Sequence, residues 1–181
     1  MSIHKLVFVV ILCSPLGSTV TSQTTVSPVV KLAYSIYQPV VDSTTILMKK
    51  GLELNDYIAG WIAYSTGIEQ VEYELIVSFN NDLKGATDQL SAMCDLLRVS
   101  TMARLLYDSS YCITTDVNLY AELFAAKHYY LATLELTSAR RRMPKIRNPA
   151  ILQVARESLK LLESILSMEQ LKDIKKISDK I

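Results

Sequence analysis

The sequence predicts an all-α protein: a single-domain antiparallel bundle of four to five helices with one disulfide. Three observations predict it. Beyond residue 22 only Gly51, Gly60, Gly67 and Gly85 remain as glycines, far too few for the turns of a β-sandwich. Apolar residues recur at spacings of three and four along most of the chain, the period of helices that bury one face. Proline and small polar residues stand where these runs begin, as helix caps do.

A first helix is expected from the Ser27-Pro28 cap to the "MKKG" stop at 48–51, with Val29, Ala33, Ile36, Val40 and Leu47 near one face. Pro39 inside it predicts a kink or break near Gln38, because proline has no N–H to donate and crowds the preceding turn. A second helix should run from about Leu54 to Phe79, with Trp61 in the core. Asn80-Asn81-Asp82 reads as its stop and as the next N-cap. Leu83, Ala86, Leu90, Met93 and Leu97 define a third helix, which reaches Tyr107 or breaks at Ser100-Thr101.

Thr114-Thr115-Asp116 caps a fourth helix with Leu119, Leu123, Ala126, Tyr130 and Leu134 on one stripe, fading into Arg140–Arg142. Asn148-Pro149 opens a fifth, carrying Leu152, Ala155, Leu159, Leu162 and Leu166. Ser167-x-x-Gln170 resembles a capping box for a last short helix bearing Leu171, Ile174, Ile177 and Ile181.

The N-terminus has a different character. A short basic "MSIHK", the apolar "LVFVVILC" and the small polar "SPLGSTVTS" have the layout of a secretory signal peptide, with cleavage expected after Ser22. The expected organisation is therefore a signal peptide at 1–22 and one helical domain at 23–181, secreted and without a transmembrane segment. In that compartment Cys94 and Cys112 are expected to form a disulfide. A straight helix from Cys94 to Tyr107 would be roughly 20 Å long. The bond therefore requires a break near residues 98–101 or a return segment packed flat along the helix.

Charge is balanced overall but not along the chain. Without Lys5 there are eighteen basic and eighteen acidic residues; 23–138 carries a net −6 and 139–181 a net +6. The balance gives no reason to expect nucleic acid. The densest cations lie in "ELTSARRRMPKIRNPA", residues 135–150. Arg140, Arg141, Arg142, Lys145 and Arg147 form a candidate patch for an acidic partner, an extracellular protein or an acidic polysaccharide. The same residues also suit a plain loop, with arginines at a helix C-terminus and Pro144 preventing its continuation. Ala139 stands where a furin-type processing site wants arginine.

No catalytic residue is assigned. His128 is the one histidine beyond residue 22, and the chain has no Gly-x-Ser-x-Gly elbow, P-loop or His-Glu-x-x-His motif. Glu69, Glu72 and Glu74 cluster, but the Glu-x-x-His pairs of a di-iron bundle are missing, so no metal or cofactor is expected. Ten tyrosines against three phenylalanines suit half-exposed faces and binding surfaces. In outline the chain resembles exported bundles such as the helical cytokines, a likeness of architecture that carries no function. The expectation is a secreted, non-enzymatic binding protein with a basic C-terminal third; the alternative is a carrier holding a small apolar ligand in a cavity between helices.

Overall fold

The computed structural model describes residues 27–64, 69–108 and 115–181. Three long helices come first: α1 (Pro28–Tyr64), α2 (Gln70–Asp108) and α3 (Thr115–Arg142). A 3₁₀ turn at Met143–Lys145 leads to α4 (Pro149–Leu166), and another at Glu169–Leu171 leads to α5 (Lys172–Ser178). No strand occurs among the described residues, and the five helices make one all-α domain.

The packing follows a seven-residue period. On α1 the buried or core-packed residues Ala33, Val40, Leu47, Leu54 and Trp61 lie seven apart. On α2 two such rows interleave: Ile76, Leu83, Leu90 and Leu97 with Phe79, Ala86, Met93 and Ser100. Ala125, Ala132 and Ala139 repeat the pattern on α3, as do Ile151, Ser158 and Ile165 on α4. A strict heptad keeps one seam facing inward over many turns, the pattern of left-handed four-helix packing. Each large aliphatic side chain fully buried in such a seam stabilises the fold by about 1.5–3 kcal/mol.

Polar pairs fix the order of the helices. Tyr34 with Arg98 and Asn55 with Asn80 run α1 antiparallel to α2. Ser100 with Asn118, Gln89 with His128 and Asp82 with Arg142 do the same for α2 and α3. Arg140 with Glu163 and the Tyr129 hydroxyl on the Leu166 carbonyl (2.8 Å) set α4 antiparallel to α3. Lys50 pairs with Glu157, so α4 also closes onto α1. The short α5 lies mainly on α3.

Several expected boundaries are corrected. α1 runs unbroken through Pro39 and past Gly51, and α2 runs unbroken through Asn80-Asn81-Asp82. α1 ends at Tyr64 and α2 begins at Gln70. Asn80-Asn81-Asp82 does not end a helix because the side chains of Asn80 and Asp82 have partners on other helices. Asn80 donates to the Asn55 side chain and Asp82 binds Arg142. Gly51 keeps helical geometry, and a Cβ placed there would stand 3.6 Å from Asn80 Oδ1. A side chain would meet only ordinary van der Waals contact there, and Gly51 is an interior residue of α1, not a C-cap.

The stripe expected on the fourth helix is also corrected. Leu119, Leu123, Tyr130 and Leu134 face outward, while Ala121, Ala125, Ala132, Ala139, Tyr129 and Leu136 are buried; only Ala126 of the expected stripe is inside. Small residues let α3 approach α2 closely, and bulkier side chains do not fit that seam.

The C-terminal expectations fare better. The Asn148 side chain accepts from the backbone N–H of Ala150 (3.1 Å) and Ile151 (3.2 Å), with Pro149 at the first helical position. Ser167 does not form a capping box. It closes α4, its hydroxyl donating to the Ser164 carbonyl at 2.9 Å. A separate short helix nevertheless follows.

The Cys94–Cys112 disulfide is not supported. α2 is unbroken through residues 98–101, and Cys94 is a free thiol enclosed in the hydrophobic core. Cys112 and the segment 1–22 lie outside the described residues.

Candidate functional site: the basic loop and its acidic partners

The basic residues of 140–147 sit where the end of α3, the 3₁₀ turn and the start of α4 meet the first half of α2. Arg140, Arg141 and Arg142 occupy the last turn of α3, where cations complement the exposed carbonyls. Pro144 is the second residue of the 3₁₀ turn, and Ile146 is buried beneath the loop.

Three of the five cations are held internally. Arg142 Nη1 lies 2.6 Å from Asp82 Oδ2, Arg147 Nη1 lies 3.0 Å from Glu69 Oε2, and Arg140 pairs with Glu163. The backbone of the loop is held as well: the N–H groups of Arg147 and Asn148 both donate to Glu72 Oε1, each at 2.9 Å. The acidic early part of α2 and the basic loop, far apart in sequence, are therefore joined in space. Arg141 and Lys145 remain exposed and make no ion pair among the described residues.

Asp82 is the buried member of this set, 8% exposed. Burial pushes its carboxyl above the ordinary aspartate value, the Arg142 charge pulls it back, and Glu135 adds to the rise. The cluster at residues 69–74 thus divides its roles. Glu69 and Glu72 hold the loop, and Glu74 accepts from Gln70 along its own helix. No group of three His, Cys, Asp or Glu suited to a metal ion occurs among the described residues.

A second polar cluster, which sequence reading missed, ties the other end of α2 to α3. Ser100 is buried and bonds Asn118 and Glu122, and Arg104 pairs with the same Glu122. The Asn118 amide satisfies all its neighbours when its oxygen accepts from Arg104 Nε at 2.8 Å. Midway, His128 Nδ1 lies 2.6 Å from Gln89 Oε1; burial and Lys127 lower its pKa from the usual value. The His128–Gln89 contact thus ties α3 to α2 at mid-length. Burial also raises the Cys94 thiol to about 11. A buried thiol raised that far is not poised as a nucleophile near neutral pH.

The space between the helices is filled by side chains such as Phe79, Leu47, Leu54, Met93 and Ile151. Two open surface grooves are present. One of about 470 Å³ lies between Tyr129, Tyr130, Leu136, Glu163, Lys175 and Asp179; the other, about 410 Å³, runs along α1 at Glu53, Tyr57 and Trp61. No helix among the described residues is long and apolar enough to cross a membrane. Compared with known proteins, the chain matches no family model, no curated protein and no solved structure.

Proposed function

We propose that this chain is an exported, non-enzymatic binding protein. The observation that carries the reading is the apolar character of its outer faces. Leu32, Ile46, Met48, Leu52 and Ile62 on α1, and Leu119, Tyr120, Leu123, Phe124 and Leu134 on α3, are all exposed. Single exposed leucines, as on α1, are ordinary, but the row of large apolar residues on one face of α3 marks a contact surface. Export rests on the signal-like pattern of residues 1–22.

An acidic partner meets the chain at Arg141 and Lys145, the two loop cations without an ion pair among the described residues. Arg140, Arg142 and Arg147 serve the fold, so the five-residue patch narrows to two. The test is retention of the exported protein on heparin, compared with the double variant Arg141→Ser/Lys145→Ser. The double variant should elute at lower salt with an unchanged thermal midpoint. Unchanged retention overturns the acidic-partner assignment.

A further inference from the structure

The outer face of α3 has a repeat of its own. Tyr120, Leu123, Lys127, Tyr130 and Leu134 follow one another at spacings of three, four, three and four, and all five are exposed. The residues that contact α2 and α4, among them Asn118, Glu122, His128, Tyr129 and Arg142, lie on other sides of the helix. A three–four repeat of large side chains is the seam of a coiled coil, here turned away from the core. Inside, α3 uses alanine; outside, it uses leucine and tyrosine.

The charge at the centre of the seam selects the occupant. Two copies of α3 packed parallel would stack Lys127 on Lys127. Packed antiparallel, each layer sets one position of the repeat against the other. Lys127 then lies opposite the partner's Tyr130, Leu123 opposite the partner's Leu134, and Tyr120 opposite the partner's Thr137. Each contact occurs twice about the two-fold axis. An ammonium over a tyrosine ring is an attractive pair, and leucine on leucine closes the seam on either side. The face is self-complementary in one orientation only.

We propose that the outer face of α3 is the interface of an antiparallel homodimer, centred between Lys127 and Tyr130. The proposal rests on the reading of this chain as a binding protein and names the occupant of the apolar face of α3. From Tyr120 to Leu134 the seam is about 21 Å long at about 1.5 Å per residue. That places the interface at the small end of specific association and makes dimerisation concentration-dependent.

Sedimentation of residues 23–181 across a range from low micromolar to submillimolar tests it. The expected result is a reversible monomer–dimer equilibrium that Leu123→Glu and Leu134→Glu each abolish; both sites are exposed, so circular dichroism and thermal midpoint should be unchanged. Orientation is read by cysteine cross-linking in a Cys112→Ser background. A mixture of Leu123→Cys and Leu134→Cys chains should form the mixed disulfide, whereas Leu123→Cys alone should not link to itself. A monomer at every concentration, a dimer indifferent to both glutamates, or Leu123→Cys self-linkage overturns the proposal. So does a monomer that co-sediments with anionic lipid vesicles through the same leucines. A monomer whose heparin retention still depends on Arg141 and Lys145 removes the dimer and leaves the binding reading intact.

Discussion

Arg142 and Asp82, sixty residues apart in sequence, meet at 2.6 Å where the end of α3 lies against the first third of α2. The pair explains two features at once: why an aspartate sits in the middle of a long helix, and why the basic loop folds back on the bundle. Removing Arg142 would leave a buried carboxylate with no charge partner. Arg142→Ala is therefore expected to cost about 2–3 kcal/mol, below the range for a fully buried pair because the arginine is partly exposed. Asp82→Asn in the same chain should restore much of the loss, as measured by urea unfolding. The pH response has a definite sign. Burial raises the folded-state pKa of Asp82 above its unfolded value, so the folded chain binds this proton more tightly. In Arg142→Ala, acidification through the carboxylate range should recover stability at this site, and Asp82→Asn should remove that recovery.

Two contacts a few residues from Arg142 should behave very differently. Glu72 accepts two backbone N–H groups of the loop, from Arg147 and Asn148, and no other side chain is shown taking its place. Glu72→Ala should therefore cost about 1–2 kcal/mol in the same unfolding experiment, a charge-assisted pair of bonds lost with the donors left to water. The Arg147–Glu69 ion pair is mostly solvent-exposed on both sides. Arg147→Ala should change stability by less than about 0.5 kcal/mol. Equal effects from the two variants would mean that the charge of the loop, and not its backbone, holds it in place.

These contacts also show what the sequence could and could not reveal. Helical class and the Asn148-Pro149 cap were legible because period and capping chemistry are local properties. Asn80-Asn81-Asp82 was not. Such residues favour turns when their side chains are free to bind their own backbone; here Asn80 and Asp82 are taken up by Asn55 and Arg142, which no local window contains. The seven-residue row Ala33, Val40, Leu47, Leu54, Trp61 is the available signal that α1 continues past Gly51. α3 misleads for a different reason. It is apolar on both sides, so the large residues of its outer face outweigh the alanines that actually pack. The basic loop was legible as charge, but its division into three clamped and two free cations depends on partners on α2 and α4.

Cys94 offers a direct chemical test. Its thiol is buried and raised to about 11, so almost none is thiolate at mildly alkaline pH. In the folded protein it should resist iodoacetamide. Under denaturing conditions without reductant it should be alkylated fully, read as a mass increment on the peptide containing residue 94. Failure to react until reductant is added would restore the disulfide that the structure does not support.

His128 makes stability sensitive to mild acid. Its ring lies half-buried between α3 and α2 with Nδ1 2.6 Å from Gln89 Oε1, and burial, reinforced by Lys127, depresses its pKa. A depressed value in the folded state means that the unfolded chain binds the proton more tightly. The stability His128 contributes is present above its unfolded pKa of about 6.5 and is lost as pH falls through the folded value. Thermal midpoints should therefore decline between pH 7 and 5 more steeply in the native chain than in His128→Gln, which keeps a donor for Gln89 but cannot take up a proton. At pH 7.5 the two chains should be close in stability. A His128→Gln chain that loses stability just as steeply would place the acid-sensitive group elsewhere.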